Sequence, residues 1–189
     1  MYDTEAYMKI LKNTLSSRRF YHSLCVSQSA KKLAERYNQD VEKAEIAGLL
    51  HDITKETGKA AQLEIIKYAG VELHPFDKRG DKFLHQASGS AMAKILGIED
   101  EEILNAVKYH TTGRENMTLL EKIIYMADLI EEGRYFPKVE ELRELTYSGK
   151  LEEALILSFN NTIKFVIDNN QLIHPRTVKA RNYILSKIL

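Results

Sequence analysis

With 189 residues, 44% of them hydrophobic and 29% charged, the chain has enough apolar mass for one sizeable core and an ordinary polar surface. Lys plus Arg equals Asp plus Glu at 27 each, which excludes a global basic field for nucleic acid and an acidic tail. The single cysteine, Cys25, excludes an internal disulfide framework and fits a reducing cytoplasm. No apolar run approaches the ~20 residues that span a bilayer, and the first stretch, MYDTEAYMKILKN, has no secretory leader's apolar segment.

Glycines and the three prolines, Pro75, Pro137 and Pro175, fall mostly between stretches whose apolar residues recur at three and four. The spacing predicts helices over 3–16, 18–38 (Phe20, Leu24, Ala30, Leu33, Ala34, Tyr37), 41–53 and 57–69. An irregular connection, GVELHPFDKRGDKFL, follows over 70–84; long irregular segments in helical domains are often functional. Further helices are expected over 85–97, 100–110 (Ile103, Leu104, Val107), 117–131 (Leu120, Ile123, Ile124, Ala127), 138–147, 150–169 and 175–188. No useful period-two alternation occurs. The fold reads as all-α, a single bundle of roughly eight to ten helices over 1–189, with a motif core at about 18–134 and C-terminal helices over 138–188 packed on it.

The stretch GLLHDITKE, residues 48–56, puts a polar doublet on this greasy background. His51 follows Ala47 by four and Asp52 follows Gly48 by four, so on a helix both lie on or beside the apolar stripe, with Gly48 making room. Asp128 repeats the puzzle in KIIYMADLIEE, four residues after Ile124. A carboxylate on a buried face costs several kcal/mol unless it is paired or bound to a metal. His22 precedes Val26 by four, His85 opens a helix in KFLHQASGSAM, and His110 closes one in NAVKYHTTGR. Each alone reads more readily as a hydrogen-bonded core residue or a cap. Together, imidazole and carboxylate are the donor set of zinc, iron and manganese, and one metal accounts for several misplaced polar groups at once.

The order His22, His51-Asp52, Asp128 resembles the H…HD…D pattern of the HD-superfamily metal-dependent phosphohydrolases. The words RRFYHSLCVSQSAKKLA, KAEIAGLLHDITK, HTTGRENMTLLEKIIYMADLIEEGR and IHPRT together resemble YqeK-type HD proteins, the bacterial symmetrical bis(5′-nucleosyl)-tetraphosphatases, from about Arg18 to Thr177. The resemblance implies an HD-domain bundle that cuts diadenosine tetraphosphate into two ADP. It makes His22, His51, Asp52 and Asp128 metal ligands. It makes His85 and His110 either ligands of a second metal or contacts to substrate phosphate, of which the phosphate role is the reading preferred here. The chain departs from the family pattern at Cys25, where glycine is usual, and at Glu132, where proline is frequent.

A metal in such a site lowers the pKa of bound water and polarises a phosphoryl oxygen. Two histidines with two carboxylates suit iron first, or manganese, better than magnesium alone. Asp52 is expected both to bind metal and to orient the attacking water, with Lys55, four residues after His51, as its catalytic neighbour. Arg19, Lys55, Arg134 and Arg176 stand close to the matched motifs and supply charge for phosphate. Thr54, His110 and Thr111 add polar contacts. In IHPRT, Pro175 reads as the first residue of the last helix, whose N-terminus would favour an anion beside His174, Arg176 and Thr177. His74 is read as a loop histidine without a role, Cys25 as a small core residue, and no aromatic platform for a base stands out. The expected partner is a dinucleoside polyphosphate or an ADP-like nucleotide, with neither nucleic acid nor membrane; a homodimer is left open. The competing readings are an HD phosphohydrolase of mononucleotides or other phosphoesters, and a nucleotide-binding sensor with little turnover.

Overall fold

The computed structural model describes residues 2–79 and 82–189, and all regular structure among them is helical. Polar caps start the first helices. Asp3 accepts from the Ala6 N–H ahead of α1 (Thr4–Thr14), Ser16 from Arg19 ahead of α2 (Ser17–Tyr37), and Asp40 from Lys43 ahead of α3 (Val41–Leu50). Asn38 and Gly70 close α2 and α4 (Lys59–Ala69) in the left-handed conformation that frees the chain to turn. Then follow α5 (Leu84–Ile95), α6 (Glu101–Tyr109), α7 (Leu119–Ile130), α8 (Val139–Tyr147), α9 (Leu151–Asp168) and α10 (Pro175–Leu185).

The central element is α3. Ala44, Ile46, Ala47, Gly48, Leu49 and Leu50 are all buried, so it is apolar on nearly every side and stable only when wrapped. α1, α2, α6 and α7 wrap it. α3 runs close against α2 at Gly48, where a Cβ would stand 2.9 Å from the Ser27 Cα and 3.2 Å from the Ala30 Cβ. α7, with Leu120, Ile123, Ile124, Met126 and Ala127 buried, reaches α2, α3, α6, α8 and α9, and α10 lies on α9. α4 sits outside on α5 over a smaller cluster of Ile66, Leu84, Ala87 and Ala91.

Two local expectations are corrected. The helix expected over 41–53 ends at Leu50, and residues 51–57 continue as successive turns, with Ile53 N–H on Leu50 O, Lys55 on Asp52 and Thr57 on Thr54. His51 Nδ1 donates to the Gly48 carbonyl at 2.7 Å, the acceptor that a continuing helix would give to residue 52. Lys55 therefore does not share a helical face with His51. The irregular 70–84 connection contains a short 3-10 turn, Pro75–Lys78, built around His74 and Asp77; positions 80 and 81 of that connection lie outside the described residues.

Candidate metal centre

Five helices deliver the polar residues to one point. His22 comes from the middle of α2, His51 and Asp52 from the end of α3, His110 from the end of α6, and Asp128 from α7, while His85 stands in the first turn of α5. Four histidine Nε2 atoms surround the buried Asp52 carboxylate. Its Oδ2 lies 3.5 Å from His51 and 3.9 Å from His22; its Oδ1 lies 3.4 Å from His85 and 3.5 Å from His110. Asp128 Oδ1 completes the first side, 3.0 Å from His22 Nε2 and 3.8 Å from His51 Nε2.

The rings are held by their other nitrogens. His51 Nδ1 bonds the Gly48 carbonyl and His110 Nδ1 the Val107 carbonyl, both at 2.7 Å. A carbonyl oxygen only accepts, so each Nδ1 donates and each ring turns its Nε2 inward. His22 Nδ1 likewise donates to the buried Glu131 Oε1 at 3.1 Å. This is how proteins orient metal-binding imidazoles. The arrangement leaves His51 Nε2 and Asp52 Oδ1 buried without a hydrogen-bond partner, a cost that a bound cation removes.

Cations edge the centre. Arg19 Nη1 donates to Asp52 Oδ2 at 2.8 Å, Lys55 Nζ lies 3.5 Å from Asp52 Oδ1 and 2.9 Å from His85 Nε2, and Arg134 bonds both the side chain and, at 2.7 Å, the carbonyl of Asp128. Burial pushes the Asp52 carboxyl up, but His51, His110 and Lys55 outweigh it and hold the group well below the usual carboxylate range. Asp128 is likewise held well below that range, with His22, His51 and Arg134 overcoming its burial. For His85, burial first and then Lys55 push the ring far below its ordinary value, so it is neutral.

Residues 19–133 match the HD domain model. The chain belongs to the HD domain family. This HD protein is 38% identical over 182 residues to the symmetrical bis(5′-nucleosyl)-tetraphosphatase of Bacillus subtilis (strain 168), across 96% of this chain and 97% of that one. Identity to the protein of the same name from Staphylococcus aureus (strain NCTC 8325 / PS 47) is also 38%, over 95% and 93% of the two chains. Among solved structures, a protein of Clostridium acetobutylicum described as a predicted HD superfamily hydrolase involved in NAD metabolism superposes with a TM-score of 0.94 at 47% identity over 99% of both chains. Membership implies dependence on a divalent metal, and the donor set fits one: imidazole nitrogens and carboxylates facing each other with two buried atoms unsatisfied.

Other expected residues of the HD protein lie one step away. Thr111 Oγ1 is 3.1 Å from His85 Nε2 and reaches the centre's edge. Thr54 is buried with its hydroxyl committed to Ser88 Oγ (2.6 Å) and the His85 carbonyl (3.1 Å), so it steadies α5 rather than facing the centre. His174, Arg176 and Thr177 open α10, where Pro175 stands at the first position as expected. His174 and Arg176 are engaged by buried Asp77, His174 Nε2 at 3.0 Å and Arg176 Nη1 at 3.2 Å from its Oδ1, while Asp77 Oδ2 accepts the His74 N–H at 2.9 Å. His74, which sequence left without a role, caps the 3-10 turn by accepting from Phe76 N–H. The His74-Asp77-His174 group has metal-like spacing, yet its hydrogen bonds are mutually satisfied, and it works as a clasp between the 70–79 connection and α10. Sequence reasoning missed Glu131 and Asp77. Glu131 stands one turn after Asp128, a spacing that carries the signal; Asp77 carries none.

Proposed function

We propose that this protein hydrolyses dinucleoside tetraphosphates symmetrically, diadenosine tetraphosphate to two ADP, with His22, His51, Asp52 and Asp128 holding a divalent metal. The carrying observation is the ring of histidine Nε2 atoms around Asp52, in a chain 38% identical over 96% of its length to a symmetrical bis(5′-nucleosyl)-tetraphosphatase. Iron fits this mixed imidazole and carboxylate set best, with manganese next. When bound, the metal supplies an acidified water and polarises a phosphoryl oxygen. The chain's own residues do the rest. Asp52, kept ionised, accepts a hydrogen bond from the attacking water and fixes its direction. Arg19, Lys55 and Arg134 hold the charge of the tetraphosphate.

For His85 and His110 the geometry favours a second cation over phosphate. The His110 Nδ1 proton is committed to Val107, and its Nε2 lies 3.1 Å from His85 Nε2. An Nε2 that carries no proton would suit a cation rather than an ionised phosphate oxygen. The helices after Lys138 form one unit with the HD core, on the packing of α8 and α9 against α7. We infer a cytoplasmic enzyme from its nucleotide substrate and its free, buried Cys25.

The test is product analysis with diadenosine tetraphosphate. ADP alone, abolished by a chelator and restored by iron or manganese, is the expected result. ATP plus AMP, or turnover indifferent to chelation, overturns the reading.

A further inference from the structure

Helix α7 stops at Ile130, and Glu131 turns out of it at φ −52° and ψ 158°. The last carbonyls of a helix have no partner within it. Here two arginines meet them. Arg134 takes the Asp128 carbonyl at 2.7 Å. Arg143 reaches across from α8: its Nε donates to Ile130 O at 2.9 Å, and its Nη2 donates to Glu131 O at 2.7 Å and to Arg134 O at 3.0 Å. Its Nη1 pairs with Glu140 on α8 itself. One guanidinium therefore grips both ends of the 130–134 turn. Arg143 lies outside residues 19–133, the segment that matches the HD domain model, and its side chain touches neither a histidine nor an aspartate of the centre.

What the turn carries gives this grip its consequence. Glu131 Oε1 receives the His22 Nδ1 proton at 3.1 Å, while its Oε2 accepts the Gly133 N–H, so the carboxylate is steered by the turn it belongs to. Arg134 bonds the side chain of Asp128, whose Oδ1 lies 3.0 Å from His22 Nε2. The backbone closes the turn with Arg134 N–H on Glu131 O at 3.0 Å, and Arg143 fixes it from outside. We propose that Arg143 is a positioning residue of the metal centre, acting through Glu131 on His22 and through Arg134 on Asp128. The planar fork is what the role needs, because a lysine ammonium is a point donor that cannot hold three diverging carbonyls in one geometry. The proposal rests on the reading of His22 and Asp128 as metal ligands, and its test reads metal binding rather than cleavage.

The experiment is chelator competition for manganese, on the full chain stripped of metal and reloaded, with thermal melts to verify that each variant is folded. Arg143→Met removes the donors and keeps the stem. Manganese affinity is expected to fall about tenfold, as for other outer residues that orient metal ligands. Combined with Glu131→Gln, itself expected to cost about tenfold, the loss is expected to stay below about thirtyfold instead of the roughly hundredfold of two independent effects. Arg143→Lys is expected to stay within about threefold of the methionine variant. Tyr37→Phe is the control: the Tyr37 hydroxyl donates to Thr146 O and ties α8 to α2 without touching the turn. It is expected to lower the melting temperature and leave manganese affinity within about twofold. Unchanged affinity in Arg143→Met overturns the proposal. So do independent losses in the double variant, which detach Arg143 from Glu131, and full rescue by lysine, which leaves only a charge at the helix end. An equal loss in Tyr37→Phe also overturns it, by assigning the effect to the docking of α8 as a whole. If the wild-type protein binds manganese with this dependence on Arg143 yet cleaves no diadenosine tetraphosphate, the positioning role stands and the hydrolase reading falls.

Discussion

His51 and His110 solve one problem twice. Each stands just past a helix, gives its Nδ1 proton to the carbonyl three residues back, and so ends the helix while aiming Nε2 at Asp52. The presence of a His-Asp doublet was legible in sequence, but the ring nitrogen it presents was not, because that depends on a side chain competing with the backbone for one acceptor. His51→Ala is expected to lose bound metal, measured by elemental analysis, together with turnover. Glu131→Gln keeps the shape but weakens the acceptor behind His22, so metal affinity, measured by chelator competition, should fall about tenfold or more. Unchanged affinity would detach Glu131 from the site. Cys25 and Glu132, the two departures from the family pattern, touch each other, Sγ to Oε1 at 3.6 Å, beside the Tyr21 hydroxyl at 3.2 Å, so they are one local change rather than two. Asp77 carries a pH signature. Burial raises its carboxyl, but His174, Arg176 and the His74 N–H outweigh it and hold it below the ordinary 3.8. Its contribution to stability is therefore complete above that value and is lost as pH falls through the lower folded value. Asp77→Asn is expected to cost about 2 kcal/mol at pH 7 in denaturant unfolding, with the gap to wild type closing under strong acid.

At the scale of elements, the helices follow from apolar spacing and caps, and α2, α7 and α9 stand within a few residues of their expected bounds. The miss after Leu50 has a stated cause, since periodicity continues through Ile53 while the Gly48 carbonyl is already taken. Gly48 itself shows how an element fixes the centre. A methyl there meets backbone, the Ser27 Cα at 2.9 Å, which cannot rotate away, so α3 must move off α2. Gly48→Ala is expected to lower stability by about 1–3 kcal/mol and to weaken metal binding as well, because His22 on α2 and His51 at the end of α3 separate together. A loss of stability with metal affinity untouched would show that the two helices can part without opening the site. Gly113 is constrained in the same way in the turn after His110. Its φ of +62° is left-handed, and a Cβ would lie 2.8 Å from the Phe159 ring.

Across the whole molecule, Phe159 joins this turn to the bundle, fully buried with its ring centroid 4.8 Å from that of Tyr125 on α7. Phe159→Ala is expected to cost about 3–5 kcal/mol in unfolding free energy, and to raise the KM for diadenosine tetraphosphate if Thr111 loses its support. The sequence by itself determined an all-helical chain, the order of the candidate metal ligands and the chemistry that imidazole and carboxylate can run, because these depend on residue type and on spacings within a few turns. Tertiary structure alone decided what meets what. His22 finds Glu131 across 109 positions and His174 finds Asp77 across 97, pairings that no local period encodes. An apolar cavity arises the same way. Phe83, Ile163, Val166 and Leu172 are ordinary core-like residues in the sequence, and they line one cavity only because segments far apart in the chain close around it.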